Sequence, residues 1–136
     1  MKKAIVAVAA IALAGSWASL ASAHHSAAQF DFTKSVQVKG TVKEFNLINP
    51  HMQLVLHVTD AKGARDIEYE GHSRNNMYRA GWRANMVKPG EALTINIAPL
   101  RTGTDGGYVT SATTADGRKF GMQSSALATQ AAAEAK

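Results

Sequence analysis

Two adjacent histidines, His24 and His25, follow the small-residue run "SLASA" at Ser19 to Ala23, and a third, His51, follows a proline in "NPH". A histidine at a free amino terminus offers both its α-amine and its imidazole to one ion, closing a chelate ring before any folding is needed. The amine titrates near ~8 and the imidazole near ~6.5, so both give up their protons to a divalent ion at little cost near neutrality. Nitrogen ligands of this type favour copper(II), which also heads the divalent affinity order. A cut between Ala23 and His24 would create such a terminus, and a third nitrogen from His51 or His25 would complete a brace of the kind copper monooxygenases use. A cut between Ala21 and Ser22 gives "SAH" instead, whose amine, two amides and third-position imidazole bind copper(II) or nickel(II) in a square plane. His24, His25 and His51 are therefore the candidate metal ligands, and copper the candidate cofactor. The competing reading makes His24 and His25 polar residues of a chain end, and His51 a turn residue bonded to backbone.

Other groups offer less. His57 lies six residues beyond His51, roughly 20 Å along an extended strand, so the two cannot share an ion. It reads as a solvated strand residue, and His72, between Gly71 and Ser73, as a turn residue. Asp66, Glu68 and Glu70 alternate as an exposed strand face does, with no calcium loop beside them. "GTDGG" at Gly103 to Gly107 lacks the lysine-serine and helix of a phosphate loop and reads as a hairpin loop. With no cysteine and no serine in a G-x-S-x-G setting, a hydrolase has no nucleophile, and no side chain is assigned to catalysis. Met52, Met77, Met86 and Met122 lack the close spacing of a thioether copper site and suit core packing. Tyr69, Tyr78, Trp82 and Tyr108 suit either a core or a groove for a sugar or base.

What must position these residues begins with a leader. Lys2 and Lys3, the apolar run "AIVAVAAIALA" at Ala4 to Ala14, and Ala21 and Ala23 at an A-x-A site form a secretory signal peptide over residues 1–23. The apolar run has 11 residues, too short for a bilayer that needs about 20. No transmembrane segment is expected. Cleavage after Ala23 leaves 113 residues, one small domain, and lowers the formal charge from +5 to +3. Part of the basicity thus belongs to the leader, and nucleic-acid binding is not inferred from it. Without cysteine there is no disulfide and no acceptor for a bacterial lipid anchor, so a periplasmic or secreted location is expected.

In the exported part, residues 24–35 form an N-terminal arm, 36–122 a β domain and 123–136 a flexible tail. Val36, Val38, Gly40 and Val42 alternate with polar residues as a half-buried strand, and "NLINP" then turns the chain. Met52, Leu54, Leu56 and Val58 line the inner face of a second strand, closed by "DAKG". Ile67 and Tyr69 do the same in a third. "SRNNMYRAG" predicts one or two helical turns between Ser73 and Gly81, with Trp82 folding back on the core. Leu93, Ile95 and Ile97 mark a fourth strand, Tyr108 to Thr114 a fifth, and Lys119 to Met122 a further strand after "ADGR". The expected fold is mainly β, a five- to six-stranded small barrel of the oligonucleotide/oligosaccharide-binding (OB) type, with one short helix between strands 3 and 4. An open sheet or two-sheet sandwich with one helix has the same order.

The residues "HHS" at His24, "FD" at Phe30, "KGTV" at Lys39, "NPH" at Asn49, "RAGW" at Arg79, "KPGE" at Lys88 and "DGRK" at Asp116 carry a resemblance to the domain of unknown function 6152 family. The resemblance spans nearly all of the exported part. It implies a small exported bacterial protein, draws attention to His24, His25 and His51, and implies no activity. Ile67 stands where the family usually has tryptophan, and Glu70 at its acidic position. Three functions fit these features: a periplasmic binding or accessory domain that holds copper through its terminal histidine, a mononuclear copper oxidase or monooxygenase, or a metal-free module for an oligosaccharide or a protein partner. With 113 residues and few exposed aromatics, a broad substrate surface is hard to build, which favours the first or third.

Overall fold

The alternation that starts at Val36 forms β1, Val36–Asn46. A computed structural model describes residues 27–121. The leader, His24, His25, Met122 and the tail lie outside those residues. Then follow β2 (Gln53–Asp60), β3 (Gly63–Glu70), the helix α1 (Arg74–Arg79), β4 (Ala92–Pro99), β5 (Gly107–Thr114) and the three-residue β6 (Lys119–Gly121). Order and boundaries agree with the sequence expectation to within a residue or two.

The strands hydrogen-bond in the order β3-β2-β1-β4-β5-β6, and a parallel bridge between Glu70 and Tyr108 joins β3 to β5. Five strands therefore run in a ring, with β6 attached outside it. β1 serves both sides: Val36–Thr41 pairs with β4, and Thr41–Asn46 pairs with β2. The crossover needs Gly40, because a Cβ there would lie 2.7 Å from the His57 carbonyl oxygen. A bulge between Val42 and Glu44 then shifts the alternation and turns Phe45 toward the core.

Inside the ring, Met52, Leu54, Leu56 and Val58 meet Ile67 and Tyr69 across the β2–β3 ladder and Leu93, Ile95 and Ile97 of β4. Each such side chain contributes about 1.5–3 kcal/mol when fully buried. Val36 departs from the expected inward pattern and is 43 % exposed. Its end of β1 pairs with β4 alone, so β2 does not cover it.

α1 covers one end of the ring. Ser73 makes no side-chain cap bond; the Asn49 side-chain oxygen accepts from the Arg74 backbone N–H at 3.1 Å instead. The helix ends in a Schellman motif, with Gly81 N–H to Tyr78 C=O and Trp82 N–H to Met77 C=O, and Gly81 at φ +94°. The turn sends Trp82 into the core, where it stands edge-on to Phe120 at 4.6 Å. Met52 and Met77 are core residues, as their lack of ligand spacing implied.

At the far end of β2, Arg65 holds β3 to the β4–β5 loop. Its Nε and Nη2 donate to Asp105 at 2.5 and 2.9 Å, its Nη1 and Nη2 to Asp60 at 2.7 and 3.1 Å, and Nη1 also to the Gly63 carbonyl. Hydrogen bonds from Arg65 hold both carboxyls below the usual range, and the two carboxylates raise the guanidinium. The loop read as "GTDGG" is a hairpin connection that also supplies this latch.

Candidate functional site

His51 is positioned by backbone that prolongs the β2–β3 ladder past its last pair, Gln53 with Glu70. Met52 N–H donates to the His72 carbonyl at 2.9 Å, and Gly71 N–H to the Met52 carbonyl at 3.0 Å. The half-buried ring of His51 approaches the Gly71 carbonyl with Nδ1 at 3.2 Å. With the proton on Nδ1 for that bond, the lone pair sits on Nε2, the tautomer of a histidine ready to bind a metal through Nε2. The backbone bond belongs to the bland reading of His51, and it also orients the ring as a ligand would need.

His72 occupies the expected link between β3 and α1 and is buried there, 8 % exposed. Its ring stands edge-on to Tyr108 at 5.2 Å. The ladder extension ties the His72 backbone to Met52, and its ring packs on Tyr108, which the arm also reaches. Phe30 and Phe32 meet Tyr108 at 5.4 and 5.2 Å.

Those phenylalanines belong to the arm. The arm is fastened by the Phe30–Leu100 bridge, by Asp31 N–H to the Pro99 carbonyl and Arg101 N–H to the Gln29 carbonyl, both 2.8 Å, and by Arg101 Nε to the Ala28 carbonyl. Beyond the bridge, Asp31 accepts from Thr33 Oγ1 at 2.6 Å and faces Lys34 Nζ at 3.3 Å, and the Thr33 hydroxyl is the chief reason its carboxyl lies below the usual range. Gln29 Nε2 lies 3.5 Å from the Glu70 carboxylate, the residue next to Gly71. A cavity of about 180 Å³ lies between Gln29, Glu68, Glu70 and the glycines that open β5. The arm therefore arrives at the end of the ring that carries His51, His72 and Glu70.

Two imidazoles and a carboxylate share that end. Among the described residues no three His, Asp or Glu side chains are placed to hold one metal ion. His57 belongs elsewhere, on the outer face of β2, 2.6 Å from Asp66 directly opposite on β3. Asp66 and Glu68 are exposed strand residues, as expected.

The sequence reading missed His72 and Glu70 as neighbours of the arm. The signal available was the bulky pair Phe30 and Phe32 in an otherwise polar arm, which needs a surface to cover.

A family model described as a family of unknown function, DUF6152, matches residues 11–110. No curated protein matches the chain. Among solved structures, the chain is similar to the crystal structure of the mitochondrial single-stranded DNA binding protein Rim1 from S. cerevisiae, with a TM-score of 0.45 and 8 % identity over 60 % of this chain and 93 % of that one. Among the described residues no helix is long and apolar enough to cross a membrane.

Proposed function

The chain belongs to the DUF6152 family, and on that premise we propose that it is an exported binding or accessory domain that holds copper through a mature amino-terminal His24, with His25 and His51 as further ligands. The observation that carries this reading is the fixed course of the arm to Glu70, the residue before the one that holds His51. Gln29 meets Glu70, and the next residue, Gly71, holds His51. Gln29 stands five positions after His24, a span of at most about 18 Å, so a terminus at His24 is tethered within reach of that end of the ring. Tethering raises the local concentration of the terminal chelate near His51 and converts a two-nitrogen ligand into a three-nitrogen one.

The chemistry follows from the donors. The terminal amine and the His24 imidazole occupy two adjacent positions around copper(II), and His51 Nε2 supplies a third. The Gly71 carbonyl at Nδ1 keeps the His51 ring oriented and its coordinating nitrogen basic.

The decisive experiment is intact-mass analysis of the exported protein, to fix its first residue, followed by copper(II) titration. His24→Ala and an N-terminal extension should both abolish the tight site, and His51→Ala, which removes a direct ligand, should weaken it by at least the about 10- to 100-fold typical of a lost outer-shell contact. Copper binding by the extended protein as tight as by the processed one would overturn the reading.

A further inference from the structure

A separate feature lies around α1. Arg74, Arg79 and Arg83 surround Tyr78: the Arg74 and Arg83 guanidinium carbons sit 5.6 and 4.8 Å from its ring centre. Arg83 is held in place by Nη1 donating to the Tyr78 and Trp82 carbonyls at 2.9 and 2.6 Å. Arg74, Asn75, Tyr78, Arg79 and Asn49 line an open concavity of about 500 Å³. Among the described residues, none of the three arginines is in an ion pair, whereas Arg65 and Arg118 both are. The patch presents three arginine charges, with Arg83 held by backbone carbonyls, and among the described residues no carboxylate forms an ion pair with them.

The lining residue Asn49 is preceded in the chain by an exposed apolar residue. Ile48, the residue before Asn49, is 43 % exposed, and among the described residues only Val36 is a comparably exposed large hydrophobic. Arginines, a half-buried tyrosine and a protruding aliphatic residue form the set that suits a membrane interface. The charges meet phosphates, the phenol sits at headgroup depth, and the aliphatic side chain enters the acyl boundary. An open concavity also suits a headgroup surface better than a small solute, which needs most of its area enclosed.

We propose that the face formed by α1 and the β1–β2 loop docks the protein on anionic lipid headgroups, with Arg74, Arg79 and Arg83 on the phosphates and Ile48 inserted beside them. It uses residues other than the candidate copper ligands and stands or falls apart from them.

The test is co-sedimentation of the full exported protein with vesicles of phosphatidylcholine alone, or of three parts phosphatidylcholine to one part phosphatidylglycerol. Binding to the anionic vesicles alone, weakened by added salt, is expected. Arg74→Gln with Arg79→Gln should reduce the partition constant about thirtyfold, taking the usual contribution of each basic residue near an anionic surface. Ile48→Ser should reduce it at unchanged net charge. Lys39→Gln with Lys62→Gln, which removes the same charge from a groove at the other end of β2, should leave it within about a factor of three of the parent, since charges beyond a Debye length are screened. Equal losses from the two double variants, binding to neutral vesicles as strong as to anionic ones, or no binding to either would overturn the proposal. So would saturable binding of inorganic phosphate that displaces the protein from vesicles at equal ionic strength, which would make the patch a site for a free anion.

Discussion

The indole nitrogen of Trp82 is buried and has no hydrogen-bond partner among the described residues. Leaving such a donor unsatisfied costs about 1–3 kcal/mol, while the ring itself fills the space between Phe45 and Phe120. Trp82→Ala should therefore destabilise by about 3–5 kcal/mol. Trp82→Phe should cost clearly less, because it removes the stranded donor with part of the volume. Urea midpoints of the two variants check this, and equal losses would refute it. At the same scale the sequence was uneven in what it disclosed. Trp82 and the inward residues of β2 were legible from the glycine before the tryptophan and from strict alternation. His72 was not, because its burial depends on Tyr108 and on an arm more than 40 residues upstream. Nor was the patch around Tyr78: the spacing of three arginines without an acid in "SRNNMYRAGWR" is visible, but the approach of Arg74 and Arg83 to one ring needs the helix in place.

Between elements, the ring depends on ion pairs where hydrogen bonds are few. Asp60 and Asp105 have carboxyls held below their ordinary range by Arg65. Each therefore contributes stability that is fully present above the unfolded carboxyl pKa of about 4 and is lost as the pH falls through the lower folded value. Asp105→Asn should flatten that acid loss, so thermal midpoints of parent and variant should converge as the pH drops below about 4. Asp31 and Asp116 are also held low, by Thr33 and by Thr114 with Arg118, and their contributions are common to both proteins. Parallel curves for the two would show that the latch carries none of the acid sensitivity. The strands on either side were readable from two-residue periodicity, whereas Arg65 and Asp105, 40 residues apart, carry no local mark of their partnership.

For the whole molecule, the arm is the piece that joins stability to the proposed function. Phe30 is 2 % exposed in a small cluster with Tyr108 and Ala98, apart from the main core. Phe30→Ala should cost about 3 kcal/mol, the low end for a buried phenylalanine, because that satellite cluster is small. It should also release the segment that carries His24, so copper affinity should fall toward that of a free peptide with the same first residues. Calorimetry and copper titration of the one variant read both effects, and unchanged copper affinity in a destabilised protein would separate the arm from the metal site. The order of elements was legible, three strands, a short helix and further strands, and a small barrel was the first of the closures it allowed. That the ring closes through Glu70 and Tyr108 was not, since one bridge leaves no pattern in sequence. The other junctions of the ring carry runs of five to eight paired residues, and this one carries a single pair. The molecule is thus a split washer rather than a solid hoop. Mechanical compliance concentrates at the gap, and amides that face across the Glu70–Tyr108 bridge should exchange with deuterium ahead of those bonded between β2 and β3, at the same seam where Gln29 of the arm reaches Glu70.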